Sequence, residues 1–104
     1  MRGYILAPQA NVDLEEVLLY VAVESRPLAA DRLESEFHAL MQRLAEAPEI
    51  GHARTDLASG TLRFIALHKY MIVYLPDSRP VEIARVFHGA RDIAALLIDW
   101  PRPD

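Results

Sequence analysis

The sequence predicts an α+β fold: a helical hairpin packed on a mostly antiparallel four-stranded sheet, with a short C-terminal helix. Two runs in the first half, within residues 11–24 and 27–47, repeat apolar residues at three- and four-residue spacing, the period of a helix with one buried face. Three short runs in the second half are rich in branched and aromatic residues and are separated by tight links. Strands joined by short links pair antiparallel, and two helices that each carry an apolar stripe need a common surface to cover them. The chain of 104 residues suits one domain, 1–98, followed by a proline-containing tail, 99–104.

Tyr4-Ile5-Leu6 is the first strand, and Pro8 ends it because proline lacks the N–H that a continuing ladder needs. Asn11 is placed to cap the first helix, with Asp13, Glu15 and Glu16 where the positive end of the helix dipole favours carboxylates. Leu14, Val17, Leu18 and Val21 form its inward face, and the break signal Ser25-Arg26-Pro27 stops it near Glu24. Pro27 suits the first turn of a second helix, whose face is Ala30, Leu33, Phe37, Leu40 and Leu44 and which stops at Ala47-Pro48. Glu49 to Gly60 holds two glycines and little periodicity and reads as a loop. The other strands are Leu62 to Leu67, Tyr70 to Leu75 and Val81 to Phe87, linked by His68-Lys69 and by Pro76-Asp77-Ser78-Arg79-Pro80. Alternation along them turns Ile72, Ile83 and Ile65 toward the helices. Asp92 to Ile98 reads as the short last helix, with Ile93, Leu96 and Leu97 inward.

Apolar residues make up 52% of the chain and charged residues 25%, an ordinary globular balance. The absence of cysteine excludes disulfides and thiolate metal ligands and suits a reducing cytoplasm. Met1-Arg2-Gly3-Tyr4 leads into no stretch suited to a signal peptide, and no segment is apolar enough to span a bilayer, so no membrane association is expected. The net charge of −4 lacks the positive excess of a domain that grips phosphates directly. Carboxylates crowd residues 1–50, whereas Arg54, Arg63, Lys69, Arg79, Arg85 and Arg91 outnumber the acids between Gly51 and Arg91. Either one surface faces protein and another tolerates anions, or the charges serve solubility alone.

The order of these elements, and the residues that punctuate it, resembles the ParE/RelE toxin superfamily over almost the whole chain. The matching segments are Tyr4-Ile5-Leu6-Ala7-Pro8-Gln9-Ala10 with Asp13-Leu14; Ala29, Leu40, Leu44 and Pro48-Glu49-Ile50-Gly51; Arg54, Leu57, Gly60 and Arg63; and Tyr70-Met71-Ile72-Val73-Tyr74. The most specific is Ile83-Ala84-Arg85-Val86-Phe87-His88-Gly89-Ala90-Arg91-Asp92. RelE-like members cut messenger RNA on the ribosome; ParE-like members share the fold but poison DNA gyrase. The RNA reaction asks for basic residues against phosphorane charge and for an acid–base residue near the C-terminus. Aligned on the strand motifs, Arg63 and Arg91 keep basic positions, but Met71 stands where RelE-like enzymes usually place arginine, and Leu97 near their terminal tyrosine. A thioether cannot stabilise a phosphorane and a leucine cannot move a proton, so the resemblance implies a ParE-like toxin that acts by binding, with ribosome-dependent endoribonuclease activity as the alternative. It also implies a ParD-like antitoxin that wraps the toxin and alone carries operator recognition, so that this chain meets operator DNA only indirectly.

Candidate chemistry is sparse. His38, His52, His68 and His88 are scattered without metal-ligand spacing, which favours surface or capping roles, and neither a metal nor a cofactor is expected. There is no phosphate-cradling glycine loop and no nucleophile elbow. In His88-Gly89-Ala90-Arg91-Asp92, Gly89 permits a bend, Asp92 can cap a helix, and Arg91 either pairs with a carboxylate of the hairpin or joins a functional surface. Arg63, Arg85, His88 and Arg91 are the candidates for touching the target. Val12, Leu19 and Val23 form a second apolar row on the first helix, which is either a widened core face or a seat for a partner. With Arg63 and Tyr74 they are the candidates for antitoxin contact.

Overall fold

The computed structural model describes residues 3–54 and 61–89. In order, these form β1 (Tyr4–Leu6), α1 (Pro8–Glu24), α2 (Pro27–Glu46), a 3-10 turn (Pro48–Ile50), β2 (His52–Ala53), β3 (Arg63–Leu67), β4 (Tyr70–Leu75) and β5 (Val81–His88). The strands make one sheet in the order β1-β5-β4-β3-β2.

The helices begin and end at prolines. Pro8 and Pro27 each occupy the first turn, where the missing N–H has no helical acceptor and the fixed φ is already helical. The start of α1 corrects the sequence reading: Ala7 stands at the cap, Asn11 lies inside the helix, and the first turn carries no acid. The backbone N–H of Asn11 donates to Ala7 O, so the turn that Asn11 was expected to open is already closed. α1 and α2 are joined by Ser25 and Arg26 alone, which folds them into a hairpin. Leu14 from α1 and Leu33, Phe37, Leu40, Met41 and Leu44 from α2 pack with Tyr70, Ile72, Tyr74, Val81, Ile83 and Val86 of the sheet. Ile65 packs against this core from β3, so all three isoleucines face the helices as expected.

The sheet has five strands rather than four. β2 lies inside the segment read as a loop and pairs antiparallel with β3, through His52 opposite Phe64 and Ala53 opposite Arg63. Two exposed residues leave no alternation to detect, which is why periodicity misses this strand. β3, β4 and β5 are antiparallel neighbours. β1 runs parallel to β5, with Tyr4 opposite Val81 and Leu6 opposite Ile83: the helical hairpin brings the chain back to the end where β1 finishes, and the antiparallel turns from β2 through β4 then set β5 in the direction of β1. The tight β3–β4 link places His68 at a φ of 53°, as the first position of a two-residue hairpin turn requires. Between Val73 and Tyr74 the register shifts and Ala84 is the extra residue on β5. This bulge bends β5 where β1 ends.

The sheet buries residues on both faces. Leu62, Phe64, Val73, Ala84 and Phe87 form a second apolar cluster, flanked by Met71 and Leu75. Val73 and Met71 alternate with Ile72 along β4, so this cluster lies on the side away from the hairpin. The helix expected over Asp92 to Ile98 and the tail 99–104 lie outside the described residues. Among those described, no helix is long and apolar enough to cross a membrane.

Candidate functional site

Asp13 is the buried charged residue of the described fold, 6% exposed on the flank of α1 that meets β5. β1 stops at Leu6, and after Ala7 N–H donates to Ile83 O the edge of β5 has no strand beside it there among the described residues. The Asp13 carboxylate takes that place. Its Oδ2 accepts the backbone N–H of Val86 at 3.0 Å and the Arg85 Nε–H at 2.8 Å, and its Oδ1 accepts from Arg85 Nη2 at 3.1 Å and from Gln9 Nε2 at 3.3 Å. The guanidinium also lies 4.5 Å from the centre of the Phe87 ring. Arg85, a candidate for target contact, is therefore held by a bidentate ion pair and an aromatic face. The sequence did hold a signal for this pair. Asp13 interrupts the apolar series Ala10, Leu14, Val17, and a carboxylate on a core face calls for a cationic partner. The carboxylate-pairing role weighed for Arg91 is filled by Arg85; Arg91 lies outside the described residues.

Tyr74, grouped with the antitoxin candidates, is fully buried. Its hydroxyl donates to Pro48 O at 2.6 Å and accepts the Gly51 N–H at 2.9 Å, tying the 3-10 turn to β4. Gly51 has to be glycine here: a Cβ would overlap the phenol oxygen and lie 2.7 Å from Cε1 of the ring. Burial raises the Tyr74 pKa above its ordinary value; the Gly51 N–H and the Arg63 charge pull it down in part, and Glu49 pushes it up. Arg63 completes the turn by donating from Nη1 to Gly51 O at 2.7 Å and Glu49 O at 3.4 Å. It also lines an open cleft of about 380 Å³ with Glu49, Thr61, Asp77 and Arg79, so two cations and two carboxylates share that wall.

His88 is exposed at the end of β5, edge-on to the Tyr70 ring at 5.8 Å. It borders a second cleft, about 250 Å³, with Asp13, Glu16, Tyr20, Lys69 and Tyr70. The other histidines lie apart: His38 meets Tyr4 and Glu34, His68 meets Glu36, and His52 sits on β2. No cluster of three or more metal-ligating side chains occurs among the described residues. Arg63 and Arg85 do not share a site: one braces the turn after α2, the other the edge of β5.

The apolar row on α1 faces water. Val12 is 43% exposed, Leu19 66% and Val23 72%, which decides between a widened core face and a bare surface. Helical geometry puts the three within a narrow arc opposite Ala10, Leu14 and Val21. Tyr20 and Leu28 extend the exposed apolar surface toward the tip of the hairpin.

The family described as ParE toxin of type II toxin-antitoxin system, parDE, matches residues 4–93. The chain belongs to this family. The match takes in both helices and all five strands. The protein is thus the toxin of a type II toxin–antitoxin system, and an antitoxin is its partner. A comparison with curated proteins finds no match. In the toxin, Met71 is half-buried between Ala66 and Phe87 and packs against the second apolar cluster. Leu97, the other position used to separate the two branches of the superfamily, lies outside the described residues.

Proposed function

We propose that this toxin acts by binding, that its target is DNA gyrase, and that a ParD-like antitoxin neutralises it in the cytoplasm. The observation that carries this reading is the commitment of its central arginine. Arg85 sits on the strand motif most specific to the superfamily, yet both sides of its guanidinium are occupied, by Asp13 and by Phe87. A group held in that way is not available to meet the charge of a phosphoryl transition state, which needs donors aimed at the reacting oxygens. Met71 supports the same reading by filling with a packed thioether the place where an RNA-cleaving relative has a cation. Inhibition by docking needs only a folded surface, and Arg63, His88 and Arg91 remain the candidates to line it. Operator DNA is contacted through the antitoxin alone.

Induction of the toxin without its antitoxin tests this. Filamentation with a DNA-damage response is expected, and the purified toxin is expected to inhibit supercoiling by gyrase. Rapid translation arrest with cleaved transcripts, while gyrase stays active, would replace the proposal by ribosome-dependent messenger RNA cleavage. Undisturbed growth would mark a chain that binds its antitoxin but has lost its poison.

A further inference from the structure

A cleft of about 380 Å³ opens where the 3-10 turn, the start of β3 and the link between β4 and β5 meet, and Arg63 and Arg79 both line it. Each guanidinium is fixed through one nitrogen. Arg63 Nη1 donates to Gly51 O at 2.7 Å and Glu49 O at 3.4 Å, and Arg79 Nη1 donates to Pro76 O and Ser78 O, both at 2.7 Å. The acceptors are themselves braced. Tyr74 ties the 3-10 turn to β4, and Ser78 Oγ donates to Leu75 O and accepts the Glu82 N–H, which pins the link that carries Arg79. Both hydrogens of each Nη1 are spent in this way, while the Nε–H and Nη2 hydrogens of both arginines have no partner among the described residues. Neither arginine forms an ion pair among those residues, although Glu49 and Asp77 stand in the same wall.

We propose that this cleft binds one phosphate or pyrophosphate group of a small molecule, with Arg63 and Arg79 as its two clamps. A fixed guanidinium presents parallel N–H donors that match phosphate oxygens, and little side-chain freedom is left to lose on binding. The donors come from separate segments, and Thr61 adds a hydroxyl to the lining. A planar carboxylate turns its oxygens to one fork at a time, whereas a tetrahedral phosphate has oxygens for both and carries more charge. The surroundings decide against nucleic acid. Glu49 and Asp77 are exposed beside the arginines and the chain carries a net charge of −4, so a row of phosphates would run over like charge. A compact anion meets only the two forks. The inference goes beyond the toxin reading and holds whatever the toxin's target.

Titration of sodium pyrophosphate into the full chain at constant ionic strength tests this through the arginine Nε–H signals in heteronuclear NMR spectra. Those of Arg63 and Arg79 are expected to shift and saturate together, while those of Arg26 and Arg32, at the start of α2, stay in place. Arg79→Gln removes one clamp from an exposed turn and is expected to weaken binding at least about tenfold, with the melting curve in chloride unchanged. Glu49→Gln with Asp77→Asn leaves both clamps and is expected to tighten binding about threefold by removing like charge. Acetate at matched ionic strength is expected to saturate neither signal. No saturable shift, a shift shared by every arginine, equal affinity in Arg79→Gln, weaker binding in the doubly neutralised variant, or an acetate response matching that of pyrophosphate would each overturn the proposal. A short DNA duplex that displaces pyrophosphate, binds with steep salt dependence and is lost with Arg79→Gln would overturn it as well, by giving the cleft to nucleic acid.

Discussion

At the scale of single residues, two side chains satisfy backbone groups that no strand pairing takes up. Asp13 satisfies a backbone N–H and a guanidinium together, and removing it strands both. Loss of one partner from a buried ion pair costs most where the remaining charge stays dry. Arg85 keeps 18% of its side chain exposed, so part of that cost is relieved by water. Asp13→Ala is therefore expected to destabilise the fold by about 2–3 kcal/mol in urea denaturation, and Asp13→Asn by less because it keeps an acceptor for Val86. Tyr74 carries the pH dependence. Burial raises its folded-state pKa, so the fold prefers the neutral phenol. That preference adds stability in full below pH ~10, the ordinary tyrosine value, and the contribution is lost as pH rises from there through the higher folded-state value. Tyr74→Phe leaves Pro48 O and the Gly51 N–H without their partner and is expected to cost about 1–2 kcal/mol near neutral pH. The gap between the two proteins should narrow in strongly alkaline buffer, and a gap that stays constant would contradict the account.

At the scale of elements, α1 has two apolar sides with opposite energetics. Leu14 is buried in the core, and Leu14→Ala is expected to cost about 2–4 kcal/mol. Leu19 is in water, and Leu19→Gln should change thermal stability by no more than about 0.5 kcal/mol. A large loss from the second would mean that the outer row supports the fold itself. The same helix shows what a one-dimensional pattern conveys. Its inner and outer rows were both visible as spacings, but not which of them met water, because that depends on how far the sheet extends beneath the helix. Its start was misplaced because Asn11 has a better capping side chain than Ala7, while Pro8 and the backbone alone already fix the turn. β3, β4 and β5 were legible since each alternates and each link is tight. β2 was not, being too short to repeat anything, and the bulge at Ala84 has no compositional mark. That Asp13 needs a cation was legible from its place on a core face, but not which one, because Arg85 lies 72 positions away, a separation that no local rule spans.

At the scale of the whole molecule, β5 is the strand on which everything converges. It carries Val81, Ile83 and Val86 toward the hairpin and Ala84 and Phe87 toward the opposite face, and it is the partner of both β1 and β4. Phe87→Ala would open a cavity under the centre of the sheet and is expected to cost about 3–5 kcal/mol. A chain cut before Val81 loses the only strand that pairs with β1 among the described residues, and it is expected to show no cooperative melting transition by circular dichroism. A preserved transition in that fragment would mean that the hairpin and the remaining strands stand on their own.

The parallel pairing of β1 with β5 also bears on how such a toxin is made. Tyr4 and Val81 face each other in register and the Val81 N–H donates to Gly3 O, although the two strands lie far apart in the sequence. During synthesis the opening strand leaves the exit tunnel long before its mate exists, and the loop that must close is most of the chain. The hairpin therefore takes its final bearing on the sheet only late in translation, once the strand that anchors the first one has been made.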